Sequence, residues 1–179
     1  MTRSDHKTGT DRIFEAYKKL NFKNIDLIIN LQGDEPNINT SDIINLNNFM
    51  INNDTEIATL AAKIKDDKMH KSKDVVKVIT KDNLIQKNFS LALNFTRNDL
   101  SKNYENIYHH IGIYSYRVAA IEKFVNLTQT KNEKENKLEQ LRALDNKMKI
   151  NVVLAKSSPI GVDTEEDYLA IKKIMEYKS

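Results

Sequence analysis

The sequence predicts an α/β protein with a largely parallel sheet and an antiparallel insertion, and two observations lead to this prediction. Apolar stretches of strand length alternate along the chain with stretches in which apolar residues recur at helical spacing. Between residues 56 and 116 several strand-like stretches follow one another closely, which favours antiparallel pairing there. The length of 179 residues suits a single domain.

The first half of the chain is predicted to begin with a helix at residues 10–20, because its apolar residues fall on one face. Residues 26–31 are apolar throughout the middle of the stretch, as expected of a buried parallel strand. A turn at 32–37 leads into a helix at 41–52, for which Ser41 is the expected N-cap. Further strands are predicted at 56–64, 75–80 and 89–95.

The second half begins with a predicted strand at 106–116, which is rich in aromatic and β-branched residues. Helices are predicted at 117–126 and 137–146, since each stretch presents apolar residues along one face. A strand at 150–155 follows. Thr164 is expected to cap a last helix to about residue 177, because carboxylates in the first turn suit the positive end of the helix dipole.

The composition excludes several classes of function. The chain has no cysteine, so it has no disulfide, no catalytic thiolate and no cysteine-based zinc or iron–sulfur site. The net charge of +3 comes mainly from dispersed lysines, and no arginine-rich stripe with interleaved aromatic residues indicates a nucleic-acid partner. No apolar run approaches the roughly 18–20 residues of a membrane helix, and the polar N-terminus does not resemble a secretory signal. These features favour a cytoplasmic protein without a nucleic-acid or membrane partner.

Two aspartates follow predicted strands and are candidate ligands of a divalent cation. Asp34 lies in the string Gln-Gly-Asp-Glu-Pro directly after an apolar strand, and Asp163 lies between a strand and the last helix. Ligands of α/β sheets bind beyond the carboxyl ends of strands, and Mg²⁺ prefers one or two carboxylates together with substrate oxygens and water. The two carboxylates would converge on one ion if their strands were neighbours. The alternative is that Asp34 belongs to a polar turn and that Asp163 only helps to cap the last helix.

Two further segments carry polar groups suited to binding. Residues 2–12 are dense in short polar side chains, and Thr8, Gly9 and Thr10 would present backbone amides and hydroxyls to a base, ribose or phosphate. The alternative for this segment is an N-capping loop. In the strand at 106–116, alternation places His110 and Tyr114 on one face, where they would line a polar pocket, and places His109 on the other. The sequence contains no Walker, GxGxxG or GxSxG motif.

Five motifs together resemble the 3-deoxy-manno-octulosonate cytidylyltransferase family, whose members make CMP-Kdo and pyrophosphate from CTP and the sugar acid Kdo for lipopolysaccharide biosynthesis. In chain order the motifs occupy residues 2–12, 30–36, 110–117, 138–142 and 161–164. The resemblance implies a Rossmann-like, mostly parallel nucleotidyltransferase sheet in a single domain over residues 1–179. It also implies an antiparallel insertion at about 65–116 that serves sugar binding and dimerisation, and therefore a homodimer.

The resemblance assigns roles to individual residues. Asp34 and Asp163 are implied to be catalytic and to hold Mg²⁺. The loop against CTP is matched by Thr8, Gly9, Thr10 and Asp11. The Kdo pocket is matched by Gln32, Arg97, His110, Tyr114, Glu139 and Gln140. The planar fork of Arg97 would suit the Kdo carboxylate, and Glu139 would accept hydrogen bonds from sugar hydroxyls.

The sequence departs from the family pattern in two places. The family usually has Phe-Ser-Arg followed shortly by Ile-Pro, whereas residues 95–100 read Phe-Thr-Arg-Asn-Asp-Leu. No segment matches the family's N-terminal signature Pro-Ala-Arg-x-x-Ser-x-Arg-Leu-Pro-Gly-Lys, whose cations grip the triphosphate. We therefore expect an N-terminally truncated fold and little or no turnover by this chain alone. Two alternatives stay open: a cytidylyltransferase for another acidic sugar such as sialic acid, and a non-catalytic relative that binds only the sugar.

Overall fold

The computed structural model describes residues 1–33, 37–100, 105–158 and 165–176. Within these residues the strands are β1 (Leu27–Asn30), β2 (Ile57–Ala62), β3 (Lys77–Thr80), β4 (Phe89–Thr96), β5 (Ile107–Arg117) and β6 (Ile150–Leu154). The helices described are α1 (Gly9–Leu20), α2 (Thr40–Asn52), α3 (Asp67–Lys71), α4 (Leu84–Lys87), α5 (Val118–Val125), α6 (Lys131–Asn136), α7 (Gln140–Asp145) and α8 (Glu165–Glu176).

The described strands form one mixed sheet in the order β1-β5-β2-β6-β4-β3. Strands β1, β2, β3 and β6 run in one direction, while β4 and β5 run in the other. The predicted α/β sheet with an antiparallel insertion is therefore present. Its parallel pairing is less extensive than expected, because β5 separates β1 from β2, and among the described strands only β2 and β6 form a parallel ladder.

Strand β3 pairs with β4 and also with the start of β5. Because β4 continues onto β6, and β6 pairs with β2, the strands β3, β4, β6, β2 and β5 close on themselves. The 11 residues of β5 are long enough for this closure. One edge of β5 pairs with β2, while the other edge pairs with β3 at its start and with β1 at its end. Strands β3 and β4 of the insertion are thus hydrogen-bonded to β5 and β6 of the main sheet.

Several helix boundaries differ from the predicted ones by a residue or more, and two of these differences have a clear local cause. Helix α2 begins one residue earlier than expected and is capped by Asn39, whose side chain accepts a hydrogen bond from the Ser41 amide. The predicted helix at 137–146 is shorter, because Lys137 adopts a positive φ of 52° that ends α6. Helices α3, α4 and α6 have only four to six residues and show no apolar periodicity, so the sequence pattern did not reveal them.

Two apolar clusters cover the opposite faces of the sheet. On one face, Tyr114 and Tyr116 of β5 pack with α5 and α7. On the other face, Ile111 and Ile113 pack with Leu46 of α2. The alternation expected for β5 is thus observed, and it directs Tyr114 and His110 to the same side. None of the helices in the described ranges has the length and apolar character needed to cross a bilayer.

Candidate substrate site

The predicted carboxylates Asp34 and Asp163 lie outside the described residues, but the strands that precede them are described. Strands β1 and β6 run in the same direction, so their carboxyl ends lie at the same edge of the sheet. The expectation that these strands are neighbours is wrong, because β5 and β2 lie between them. Three strand spacings amount to roughly 14 Å along the sheet. The nine residues from the end of β6 to Asp163 can span about 30 Å, which exceeds this separation.

At the start of α1, the loop expected to bind the nucleotide contacts Glu139, a residue expected to bind the sugar. Thr8 caps α1 and forms a capping box with Asp11. Thr10 is fully buried, and its Oγ1 donates a 2.5 Å hydrogen bond to Oε1 of Glu139. The Thr10 amide is 3.4 Å from the other carboxylate oxygen, and the Tyr116 hydroxyl is 3.4 Å from Thr10 Oγ1. Since the Thr10 hydroxyl has one proton and gives it to Glu139, Tyr116 is the donor to Thr10.

A buried ion pair between Arg142 and Glu133 lies next to the contact between Thr10 and Glu139. Arg142 is 1% exposed and donates from Nε and an Nη atom to both carboxylate oxygens of Glu133, at 2.9 and 2.6 Å. The same guanidinium lies 3.6 Å from the Asp11 carboxylate and stacks over Phe124. Burial raises the pKa of Glu133, but the hydrogen bonds from Arg142 outweigh it and hold the pKa below its ordinary value. Helices α1, α6 and α7 are therefore held together by charge in an apolar setting.

His110 is a buried, neutral donor on the predicted pocket face. Its Nε2 lies 3.0 Å from Oγ1 of Thr59, and that hydroxyl donates to the Ile113 carbonyl at 2.8 Å. The Thr59 proton is therefore used, so His110 Nε2 carries the hydrogen that Thr59 accepts. The imidazole packs edge-on against Phe95 and lies 5.4 Å from the Tyr114 ring. Burial lowers the pKa of His110 to about 3, and this side chain is uncharged at neutral pH.

His109 lies on the opposite face, as the alternation predicts, and its Nδ1 is 2.6 Å from Oγ of Ser158. Burial lowers its pKa to about 4. In the ranges that the structure describes, no group of three or more histidine, aspartate or glutamate side chains is arranged to hold a metal ion.

The two depressed histidine pKa values predict a loss of stability in mild acid. The unfolded chain takes up protons near pH 6.5, whereas the folded chain does so only near pH 4 for His109 and pH 3 for His110. The free energy of unfolding should fall as the pH drops below about 6.5, by up to ~1.4 kcal/mol per pH unit for each histidine. Urea unfolding at pH 7, 6 and 5 measures this slope. His110→Asn should remove about half of it, and a slope equal to that of the wild type would contradict the assignment.

Three expected sugar residues occupy separate positions around this face. Gln32 is exposed beyond β1, and Gln140 is buried at the start of α7 beside Glu139. Arg97 follows β4, and its guanidinium donates to the carbonyls of Lys73 and Asp74 at 3.2 and 2.7 Å. The structure thus brings Thr10 to Glu139 and His110 to Tyr114, while Arg97 contacts the turn that precedes β3.

Three buried charged residues were not predicted from the sequence. Arg142 entered the prediction only as part of the 138–142 motif, as a residue of a type usually exposed to solvent, whereas it is 1% exposed. Glu133 was not singled out, although Thr130-x-x-Glu133 is a capping-box pattern that marks the start of α6. Lys77 was also missed; it is fully buried, and its Nζ donates to the carbonyls of Ser72 and Arg97 at 2.5 and 3.0 Å. The sequence feature that could have revealed Lys77 is its position as a lysine within an apolar strand. Burial lowers the pKa of Lys77.

Comparison with known proteins decides the family. A family model described as Cytidylyltransferase matches residues 1–150. The chain belongs to the cytidylyltransferase family. The 3-deoxy-manno-octulosonate cytidylyltransferase of Bartonella bacilliformis is 40% identical to this cytidylyltransferase over 176 residues, which are 98% of the chain and 72% of the relative. The enzyme of the same name from Agrobacterium fabrum is also 40% identical, over 98% of the chain and 69% of its own length.

Solved structures agree with this assignment. The structure of CMP:2-keto-3-deoxy-manno-octonic acid synthetase complexed with CTP matches all of the chain and 72% of its own, with a TM-score of 0.86 and 30% identity. The 4-diphosphocytidyl-2C-methyl-D-erythritol synthase of Anaerococcus prevotii matches 96% of the chain with a TM-score of 0.59 and 17% identity, which shows a common fold. The predicted family and its mixed α/β nucleotidyltransferase fold are confirmed.

Proposed function

We propose that this cytidylyltransferase transfers the cytidylyl group of CTP to Kdo, forming CMP-Kdo and pyrophosphate for lipopolysaccharide biosynthesis. The observation that carries the proposal is the 40% identity, over 98% of the chain, to relatives named for this sugar. The hydrogen bond from Thr10 to Glu139 supports it, because it joins the expected nucleotide loop to an expected sugar ligand. The enzyme would act in the cytoplasm on two small-molecule substrates.

In the proposed reaction, the anomeric hydroxyl of Kdo attacks the α-phosphorus of CTP. A bond forms between that oxygen and phosphorus, the bond to the β-phosphate oxygen breaks, and pyrophosphate leaves. The protein chiefly positions the two substrates. Arg97 would pair with the Kdo carboxylate, Glu139 and Gln140 would bind sugar hydroxyls, and Gln32, His110 and Tyr114 would complete the pocket. Residues 8–11 would lie against CTP.

Asp34 and Asp163 are proposed to hold Mg²⁺. The strand directions fit this assignment, because β1 and β6 end at the same edge of the sheet, and two carboxylates are a donor set that Mg²⁺ prefers. When bound, the ion would neutralise charge on the triphosphate and favour ionisation of the attacking hydroxyl. We also propose a homodimer formed through the insertion at about 65–116, where the apolar side chains of Ile85, Phe89 and Leu93 are exposed.

The Thr10 hydroxyl is proposed to orient Glu139 toward the sugar. Thr10→Val keeps the shape of the side chain and removes its proton donor. We expect the Kd for Kdo to rise by about tenfold, because a hydrogen bond to a charged group contributes roughly 1.5–3 kcal/mol. Thr10→Ser, which restores the hydroxyl, should recover most of the affinity. Isothermal titration calorimetry with Kdo measures the three values.

Thr80 provides the matched control for this prediction. It is equally buried, and its hydroxyl donates to the Asp82 carbonyl at 2.7 Å, with no link to the expected sugar residues. Thr80→Val should lower the melting temperature and leave the Kd for Kdo unchanged. Equal losses of Kdo affinity in the Thr10 and Thr80 variants would show that packing, rather than orientation of Glu139, is responsible.

Product formation tests the proposed function. The chain is incubated with CTP, Mg²⁺ and either Kdo or N-acetylneuraminate, and ³¹P NMR follows CMP-sugar and pyrophosphate. We expect product only with Kdo, and at a low rate, because no segment of the sequence matches the signature that grips the triphosphate in the family. Product with N-acetylneuraminate would favour the sialic-acid alternative. Calorimetric titrations with Kdo and with CTP·Mg²⁺ accompany the assay, because binding of Kdo without binding of CTP·Mg²⁺ would favour the non-catalytic alternative.

A further inference from the structure

Asn30 carries a buried side-chain amide nitrogen that has no hydrogen-bond partner among the described residues. It is the last residue of β1 and is 5% exposed. Its Nδ2 donates to no acceptor in the part of the chain that the structure describes. Buried amide groups in native proteins are almost always paired, because an unpaired donor forfeits its hydration without compensation. A donor left in this state by the fold is available to a ligand.

The position of Asn30 directs it to the expected sugar pocket. The β1–β5 register places Asn30 opposite Tyr114, and residues paired in this way project from the same face of a sheet. The Tyr114 ring is in turn 5.4 Å from the His110 ring, and Gln32 follows Asn30 by two residues. Alternation along β1 agrees, because Ile28 packs in the cluster that contains Tyr114, whereas Ile29 packs in the opposite one.

Thr59, Thr10 and Glu139 differ from Asn30 in having hydrogen-bond partners within the protein. Thr59 also pairs with Tyr114 in the sheet. Its hydroxyl accepts a hydrogen bond from His110 and donates one to the Ile113 carbonyl. Thr10 and Glu139 are paired with each other. The Asn30 Nδ2 group therefore remains a donor without an acceptor among the described residues, and a carboxylate, hydroxyl or phosphate oxygen of a substrate would satisfy it.

We propose that Asn30 is a further substrate-binding residue, whose Nδ2 donates a hydrogen bond to an oxygen of the bound sugar acid. This inference rests on the proposed function, since it takes Kdo as the ligand of the pocket. The described residues of the free enzyme offer Nδ2 no acceptor, and the sugar supplies one. Asn30 thus contributes to binding and not to the stability of the ligand-free fold.

Asn30→Ala separates these two contributions. We expect the Kd for Kdo, measured by calorimetry, to rise about tenfold, which corresponds to the loss of one hydrogen bond. The melting temperature of the ligand-free variant should stay close to that of the wild type, because removing Nδ2 breaks no hydrogen bond among the described residues. Asn151→Ala is the matched control: the Asn151 amide donates to Thr55 Oγ1 at 3.2 Å, so this variant should melt earlier and bind Kdo normally.

Each outcome has a definite consequence. Unchanged Kdo affinity in Asn30→Ala, while the wild type binds Kdo, would overturn this inference and leave the proposed function intact. If the variant bound CTP·Mg²⁺ more weakly and Kdo with unchanged affinity, Asn30 would donate to an oxygen of the nucleotide, and the sugar assignment would be overturned. A lower melting temperature in the ligand-free variant would give Asn30 a structural role. Absence of Kdo binding by the wild type would overturn the proposed function, and this inference with it.

Discussion

Glu133→Gln is expected to lower the free energy of unfolding by about 3–5 kcal/mol, the range found when one partner of a buried ion pair is removed. Glu133 and Arg142 are 3% and 1% exposed, and two hydrogen bonds join them. The substitution would leave the Arg142 guanidinium buried without its main counter-charge. Urea unfolding at pH 7 measures the loss.

Glu135→Gln is the control, because Glu135 forms an exposed pair with Lys131 on the same helix, at 3.7 Å. Exposed pairs contribute little, so this change should cost less than about 0.5 kcal/mol. The effect of Glu133→Gln should also shrink in acid. The pKa of Glu133 is held below its ordinary 4.5, so its stabilisation is complete above that pH and fades as the pH falls. Equal losses in the two variants at pH 7 would show that the buried pair does not stabilise the fold.

Asp34→Asn is expected to weaken the binding of CTP·Mg²⁺ by about a hundredfold, because changes even to the outer partners of a metal site cost 10–100-fold in affinity. The variant keeps the size of the side chain and removes the charge proposed to hold the cation. Calorimetry with CTP·Mg²⁺ measures the affinity, and titration of the wild type with CTP in the presence of EDTA should give a similarly weak value.

Asp66→Asn is the matched control for this metal prediction. Asp66 caps α3 through its side chain, and asparagine retains that capacity, so CTP·Mg²⁺ binding should be unchanged. Asp163→Asn should behave as Asp34→Asn does if both carboxylates hold one ion. Wild-type affinity in Asp34→Asn, or a wild-type titration that EDTA does not alter, would refute the proposed magnesium site.

The sequence revealed the longer elements of this fold because each carries a repeated apolar pattern. Helix α1 and strand β5 were predicted within one or two residues for that reason. The order of the strands was not predictable from such patterns, since periodicity within β1 does not show that β5 pairs beside it. Helices as short as α4 and α6 depend on caps such as Asn83 and Thr130, and are formed with too few residues to display a period.

The candidate site was predictable where motifs are local and was missed where contacts are distant. The polar loop before α1 and the alternating face of β5 could be identified from neighbouring residues alone. The contact between Thr10 and Glu139 joins positions 129 residues apart, and the pair of Arg142 with Glu133 depends on how α6 and α7 pack. Asn30 gave no signal in the sequence, because only the completed sheet shows that its amide is buried and unpaired.

The preference of the chain between two sugar acids is the most direct test of the proposal that Kdo is its sugar substrate. Isothermal titration calorimetry with Kdo, and separately with N-acetylneuraminate, measures binding to the pocket independently of turnover. We expect saturable binding of Kdo at one site per chain and no detectable binding of N-acetylneuraminate. Absence of Kdo binding, or tighter binding of N-acetylneuraminate, would contradict the assignment of this cytidylyltransferase to Kdo.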